Sequence, residues 1–252
     1  MQILITNDDG VNSPGLFALK QALAPAYDVV VIAPDRNWST SGHSRVFDRP
    51  IRVTEAPLPD GSTAYSIDGT PSDCVALAAL GFLERPPDLV ISGINNGYNL
   101  GDDITYSGTV AAAMEGVISG IPSIAVSMDT HPIWPVEVGA AFIHRLVEQI
   151  VERGLAKDIL LNVNVPNLPR EQIKGVQITR LGKRIYQDQL IVREDPRGRK
   201  YYWMGGTAVR HEREEGTDVT AVDDGYVSVT PIHLDLTNHK LIETLRSWDL
   251  RF

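Results

Sequence analysis

Gln2-Ile3-Leu4-Ile5-Thr6 is short, aliphatic and β-branched, and it stops abruptly at Asn7-Asp8-Asp9-Gly10. A buried parallel strand meets its loop in this way. Similar runs recur at residues 28–33, 88–92, 122–127 and 159–165, and stretches with helical spacing lie between them at residues 16–23, after Thr70, after Ser107 and at 136–151. Strand and helix in alternation build a mostly parallel sheet with helices on its faces, so the expected class is α/β. Residues 51–54 and 64–67 flank Asp60-Gly61 and read as a hairpin, and the helix after Thr70 is expected to reach about residue 84.

Ligands of an open α/β sheet bind beyond the carboxyl ends of its strands, which directs attention to the loops. Two adjacent carboxylates, Asp8 and Asp9, repel each other and need a counter-charge, for which a hard divalent cation is the simplest candidate. The alternative is that one of them caps the next helix or closes a turn with Gly10. The second strand delivers Ser39 to the same edge, and the third runs into the asparagine- and glycine-rich residues 93–103, which include Asn95. Carboxylate, hydroxyl and amide oxygens together suit Mg²⁺, Mn²⁺ or Ca²⁺ better than zinc. Ser107-Gly108-Thr109 opens a small-residue helix whose first N–H groups can hold a phosphate, or Ser107 simply caps it.

A net charge of −9 over 252 residues argues against nucleic-acid polymers and acidic membranes as partners. No 18-residue apolar run and no basic, cleavable leader is present, so a soluble, cytoplasmic protein is expected. The single cysteine, Cys74, lies in an apolar run and reads as buried and inert. Beyond Pro169 the texture changes. A charged run at residues 193–200 leads into Tyr201-Tyr202-Trp203, an arm or hairpin expected to pack on another part of the protein or on a second subunit. A last strand at residues 226–231 and a final helix at about 238–248 follow, with His233, Asp235 and His239 near its start.

Taken in order, Asn7-Asp8-Asp9-Gly10, Ala33-Pro34-Asp35-Arg36-Asn37, Gly69-Thr70-Pro71-Ser72-Asp73-Cys74, Ser92-Gly93-Ile94-Asn95, Asn99-Leu100-Gly101-Asp102-Asp103 and the run from Tyr106 to Gly116 resemble the SurE family of stationary-phase survival proteins. The resemblance extends through Val222-Asp223-Asp224-Gly225 and His233 to His239, nearly the whole chain. It implies one domain over residues 1–252, with a Rossmann-like three-layer core at about 1–180. An arm and carboxyl-terminal segment at about 181–252 would serve oligomerisation. It implies metal-dependent hydrolysis of nucleoside 5′- and 3′-monophosphates, with short polyphosphate as a further substrate in several members. One divalent ion per subunit would be held by Asp8, Asp9, Ser39 and Asn95. Ser107, Gly108 and Thr109 match the helix start at the phosphate, with Asn96 as a further substrate contact. Asp235 and His239 match a pair proposed to assist proton transfer. Homodimers or homotetramers with exchanged carboxyl-terminal segments are expected.

The physical account beside the resemblance is in-line attack of water on phosphorus, oriented or deprotonated by Asp9, with protonation of the leaving oxygen by His239. A bland reading of His239 is an i, i+4 bond to Asp235. Trp38 and Tyr98 are candidates to stack on a base, or to pack against the subunit. A haloacid-dehalogenase-like phosphatase is disfavoured because its two aspartates stand two apart, whereas Asp8 and Asp9 are adjacent. A non-catalytic, metal-dependent nucleotide-binding module is the alternative from another class.

Overall fold

The computed structural model describes residues 1–129, 136–186, 189–205, 209–211 and 213–251. Strand β1 (Gln2–Thr6) lies inside a nine-stranded sheet, parallel to β2 (Asp28–Pro34) on one side and to β5 (Leu89–Asn96) on the other. Beyond β2 comes β4 (Thr63–Ile67), also parallel, with β3 (Val53–Pro57) as its antiparallel hairpin partner at the edge. Beyond β5 come parallel β6 (Ser123–Met128) and β7 (Leu160–Val165), then β13 (Val227–Ile232), antiparallel to β7, and β8 (Val176–Ile178). The chain leaves β1 to one side and returns to its other side as β5. That reversal opens a crevice at the carboxyl ends of β1 and β5.

Ile3, Leu4 and Ile5 are all fully buried because helices cover both faces. On one face, α1 (Pro14–Leu23) and α4 (Val136–Arg153) pack Leu16, Leu19, Ile143 and Val147 in the same core as Ile3, Ile5 and Ile91. On the other, α2 (Pro71–Leu77) and α3 (Gly108–Ile118) bring Cys74, Val75 and Ala112 to Leu4, Ile32 and Val90. Full burial of each such aliphatic side chain contributes roughly 2 kcal/mol.

Three boundaries differ from expectation. Helix α2 starts at a capping box between Thr70 and Asp73 but ends at Leu77, not near 84. The chain there enters a wider turn (Ala78–Phe82) in which Gly81 takes φ 110°, a conformation that halts the α-helix. Residues 93–96, expected as loop, are the end of β5. The register with β6 shifts between Ser92 and Asn95, and a side chain on Gly93 would strike Val126, so the bulge needs glycine there. Strand β13 belongs to the main sheet although the core was expected to end at about residue 180.

The arm is an antiparallel hairpin of β10 (Gln189–Glu194) and β11 (Lys200–Gly205), and every residue of both strands is exposed. Short β9 (Arg184–Tyr186) pairs with β12 (Val209–His211). Helix α5 (Asp218–Asp223) lies against β13, and α6 (His239–Arg246) buries none of its residues. Among the described residues no helix is long and apolar enough to cross a membrane.

Candidate active site

The loop after β1 is closed by Asn7, not by either aspartate. Its side-chain N–H donates to the Gly10 carbonyl at 3.0 Å and its Oδ1 accepts from the Gly10 N–H at 3.1 Å. Helix α1 begins at Ser13 and Pro14 without a side-chain cap. The turn-closing and capping alternatives for Asp8 and Asp9 are therefore not what forms, and both carboxylates are left for other partners.

Asp8 is 3% exposed, and its Oδ1 accepts from the Thr109 hydroxyl at 2.5 Å. Asp9 is half-buried; Oδ1 accepts from Asn37 Nδ2 and Oδ2 from the Asn96 backbone N–H, both at 3.3 Å. Burial raises the Asp8 carboxyl above its ordinary value, opposed by the Thr109 hydroxyl. Asp9 is pushed up to about 6, first by burial and then by the charge of Asp8. Among the described residues, no lysine, arginine or histidine forms an ion pair with either, so the two adjacent carboxylates have no cation of the protein's own.

A cleft of about 510 Å³ opens over Asp8, lined by Asp8, Ser39, Asn95, Asn96 and Ser107, with Thr40, Gly97, Tyr98, Asn99, Asp103 and Tyr106 completing the wall, whereas Asp9 does not line it. Asn95 is held by its Nδ2 donating to the Gly97 carbonyl at 2.8 Å. Ser39 is set by its backbone N–H donating to Asn37 Oδ1 at 2.7 Å. Ser107 caps α3, its Oγ accepting from the Val110 N–H at 3.1 Å, as the capping alternative anticipated. Its side chain nonetheless lies on the cleft wall. Gly108 and Thr109 stand behind Asp8. A Cβ on Gly108 would come within 2.8 Å of Asp8 Cβ and 2.9 Å of Asp8 Oδ2. Thr109 is fully buried.

Asp235 and His239 form the i, i+4 bond of the bland reading, Oδ2 to Nε2 at 2.6 Å, with both side chains more than half exposed. His239, ahead of the Thr237 backbone, holds the Asp235 carboxyl well below the usual range. Neither residue lines this chain's cleft. Cys74 is buried and its thiol is pushed up by burial, as expected of an inert side chain.

The model of the family described as Survival protein SurE matches residues 3–188. The chain belongs to the SurE family. Proteins named 5′-nucleotidase SurE from Chloroflexus aggregans and Herpetosiphon aurantiacus are each 52% identical to it, over 251 and 247 residues. The alignments cover 99% of this chain and 99% of the first relative, and 97% of each for the second. The crystal structure of the SurE protein from Aquifex aeolicus superposes with a TM-score of 0.85 at 47% identity, covering 98% of both chains.

Several residues that brace this SurE cleft were not singled out from the sequence. Asn99 donates its backbone N–H to Asn164 Oδ1 at 2.9 Å and its Nδ2 to Ser127 Oγ at 2.7 Å. Its carbonyl accepts from both Asn162 and Asn164. Two asparagines at alternate positions of an otherwise aliphatic strand, Asn162 and Asn164, were the available signal. Asp218, fully buried, accepts N–H bonds from Gly101 at 2.8 Å and Gly182 at 2.7 Å, tying the asparagine loop to the chain beyond β8. Asp103, by contrast, stands in the Asn99 to Asp103 motif read from the sequence, and it fixes that loop by an ion pair with Arg184. Buried Glu115 of α3 takes His43 at 2.9 Å and Arg45 at 3.1 Å, clamping the far end of the Ser39 loop onto the helix.

Proposed function

We propose that this SurE protein is a divalent-metal-dependent phosphomonoesterase that hydrolyses nucleoside 5′- and 3′-monophosphates to nucleoside and inorganic phosphate, with short-chain polyphosphate as a further substrate. The names of its relatives at about half identity over the whole chain support the reaction. The single structural observation that carries it is the adjacent Asp8 and Asp9 pair, Asp8 raised by burial and Asp9 by burial and the charge of Asp8, with Asp8 on the wall of a cleft whose other lining residues are mostly neutral oxygen donors.

That donor set fits one Mg²⁺ or Mn²⁺ ion, with Ca²⁺ a weaker fit, held by Asp8, Asp9, Ser39 and Asn95. The fit is supported by Gly108, whose missing Cβ leaves the space Asp8 occupies. The ion would supply Lewis-acid polarisation of the phosphoryl group. Asp9 orients the attacking water and takes its proton on a carboxylate oxygen. The Ser107 hydroxyl, whose oxygen already accepts from Val110, keeps its hydrogen free to donate to a phosphoryl oxygen. Gly108 and Thr109 serve the phosphate end indirectly, by holding Asp8. Asn96 borders the substrate while its N–H holds Asp9.

The leaving nucleoside oxygen needs a proton, and His239, held by Asp235, is suited to give it. The pair lies off this chain's own cleft, so on this reading it serves the cleft of a second copy in a homodimer or homotetramer with exchanged carboxyl-terminal segments. The exposed apolar residues of the arm, among them Leu190, Trp203 and Met204, support such an assembly. The chain is then one catalytic domain over residues 1–252 that completes its site by association.

The test is phosphate release from a panel of nucleoside 5′- and 3′-monophosphates and tripolyphosphate, after chelation and after return of Mg²⁺, Mn²⁺ or Ca²⁺. Metal-dependent release from the nucleoside monophosphates, with slower metal-dependent release from tripolyphosphate, is the expected result. Metal-dependent nucleotide binding without any phosphate release would identify a binding module and overturn the proposal.

A further inference from the structure

Three aromatic residues stand at or beside the cleft, and they differ in what already occupies their rings. Tyr98 is half-buried, its hydroxyl accepts from the Asn167 backbone N–H at 3.1 Å, and its ring packs on the Leu100, Val219 and Val222 cluster. Trp38 is half-buried beneath Arg36, whose guanidinium carbon is 4.8 Å from the ring centroid. Tyr106 is different. It lines the cleft, 67% of it is exposed, and among the described residues no ring or cation stacks on it.

An exposed tyrosine ring at a cleft mouth offers an open π-face on which a flat ligand can stack. Its root is well fixed. The Tyr106 N–H donates to the Asp103 carbonyl at 3.0 Å, and its own carbonyl accepts from the Gly42 N–H at 3.0 Å. Asp103 in turn is anchored by Arg184. The next residue, Ser107, caps α3 and borders the cleft beside Asp8. A rigid backbone therefore sets an open aromatic face one residue from the group assigned to the phosphate.

We infer that Tyr106 is the platform on which the base of the nucleotide stacks, and so the residue that makes a nucleoside phosphate a better substrate than a phosphate ester lacking a base. This deepens the nucleotidase reading and rests on it. Every nucleobase has a π-face, so a stacking platform accepts all of them and favours the larger purines over pyrimidines. No cleft residue needs to read the base edge for this preference to arise.

Steady-state phosphate release by the full-length, metal-loaded protein tests it, with adenosine 5′-monophosphate, cytidine 5′-monophosphate and ribose 5-phosphate as substrates. Tyr106→Ala should raise KM for the adenosine ester about tenfold more than KM for ribose 5-phosphate, with a much smaller change in kcat. The preference for the adenosine over the cytidine ester should shrink. Tyr106→Phe and Tyr106→Trp, which keep the face, should retain the parent preference. Equal KM changes for the nucleotide and the sugar phosphate would mean a structural role and overturn the inference, as would an unchanged adenosine KM. Absence of phosphate release by the parent from all three esters would instead overturn the nucleotidase reading itself.

Discussion

The hydroxyl of Thr109 donates to Oδ1 of Asp8 at 2.5 Å, joining the first turn of α3 to the loop after β1 across 101 positions of sequence. Both residues are buried, so this hydrogen is supplied to a carboxylate in a place where water is scarce. Replacing it with Thr109→Val keeps the shape and removes the donor. The variant should lose about 1–3 kcal/mol of stability and bind Mn²⁺ more weakly, because Asp8 is no longer aimed. Thermal unfolding and a metal titration read these separately. A Thr109→Val protein with the parent's metal affinity would show that Asp8 needs no such support.

The raised Asp9 carboxyl has a signed effect on stability. Its folded value of about 6 lies above the ordinary 3.8, so the folded chain holds a proton that the unfolded chain has lost. The stabilisation this provides is complete below pH 3.8 and is lost as pH rises through 6. Asp9→Asn never charges. With chelator present it should melt higher than the parent at pH 7.5, by on the order of 1 kcal/mol, and the gap should narrow at pH 4. Its phosphate release should be abolished at both. A variant no more stable than the parent at pH 7.5 would remove carboxylate repulsion from the account.

Asp218 braces the asparagine loop with both carboxylate oxygens, Oδ2 toward Gly101 and Oδ1 toward Gly182 and Val219. An amide has one acceptor oxygen, so Asp218→Asn must turn an N–H₂ group toward one of these N–H donors. The cost should be about 1–3 kcal/mol. Faster amide hydrogen exchange over residues 97–105 should accompany it. Parent-like exchange there would mean that Asn99 alone holds the loop.

Removal of residues 193–204, with a short glycine linker in their place, takes away most of an arm whose strands are exposed throughout. The nine-stranded sheet keeps all its strands. The truncated chain should retain the parent's unfolding midpoint to within a few degrees yet sediment as a smaller species. A sedimentation coefficient scaling only with the lost mass, or a collapse of the fold, would contradict the role given to the arm.

Parallel strands could be read in order because each is buried on both faces and so is written as an unbroken aliphatic run, as in Ile3-Leu4-Ile5 and Val31-Ile32-Ala33. Ser39, Asn95 and Ser107 could be assigned to the same cleft as Asp8 because they follow the ends of parallel strands or open the next helix. The length of α2 and the end of β5 could not be read so easily. In both, a glycine changes the backbone within a sequence whose composition continues unaltered.

The α/β class, the edge of the sheet that carries the site, and the family can all be read from the order of residues. These follow from local pattern, which every residue reports independently of its distant neighbours. How the site is held emerges only once the chain is folded. That Thr109 turns to Asp8, Asp218 to the Gly101 loop and Glu115 to His43 and Arg45 depends on elements 70 to 117 residues apart meeting in space. A buried polar group must find its partner wherever the fold brings one, and chain order does not record which partner that is.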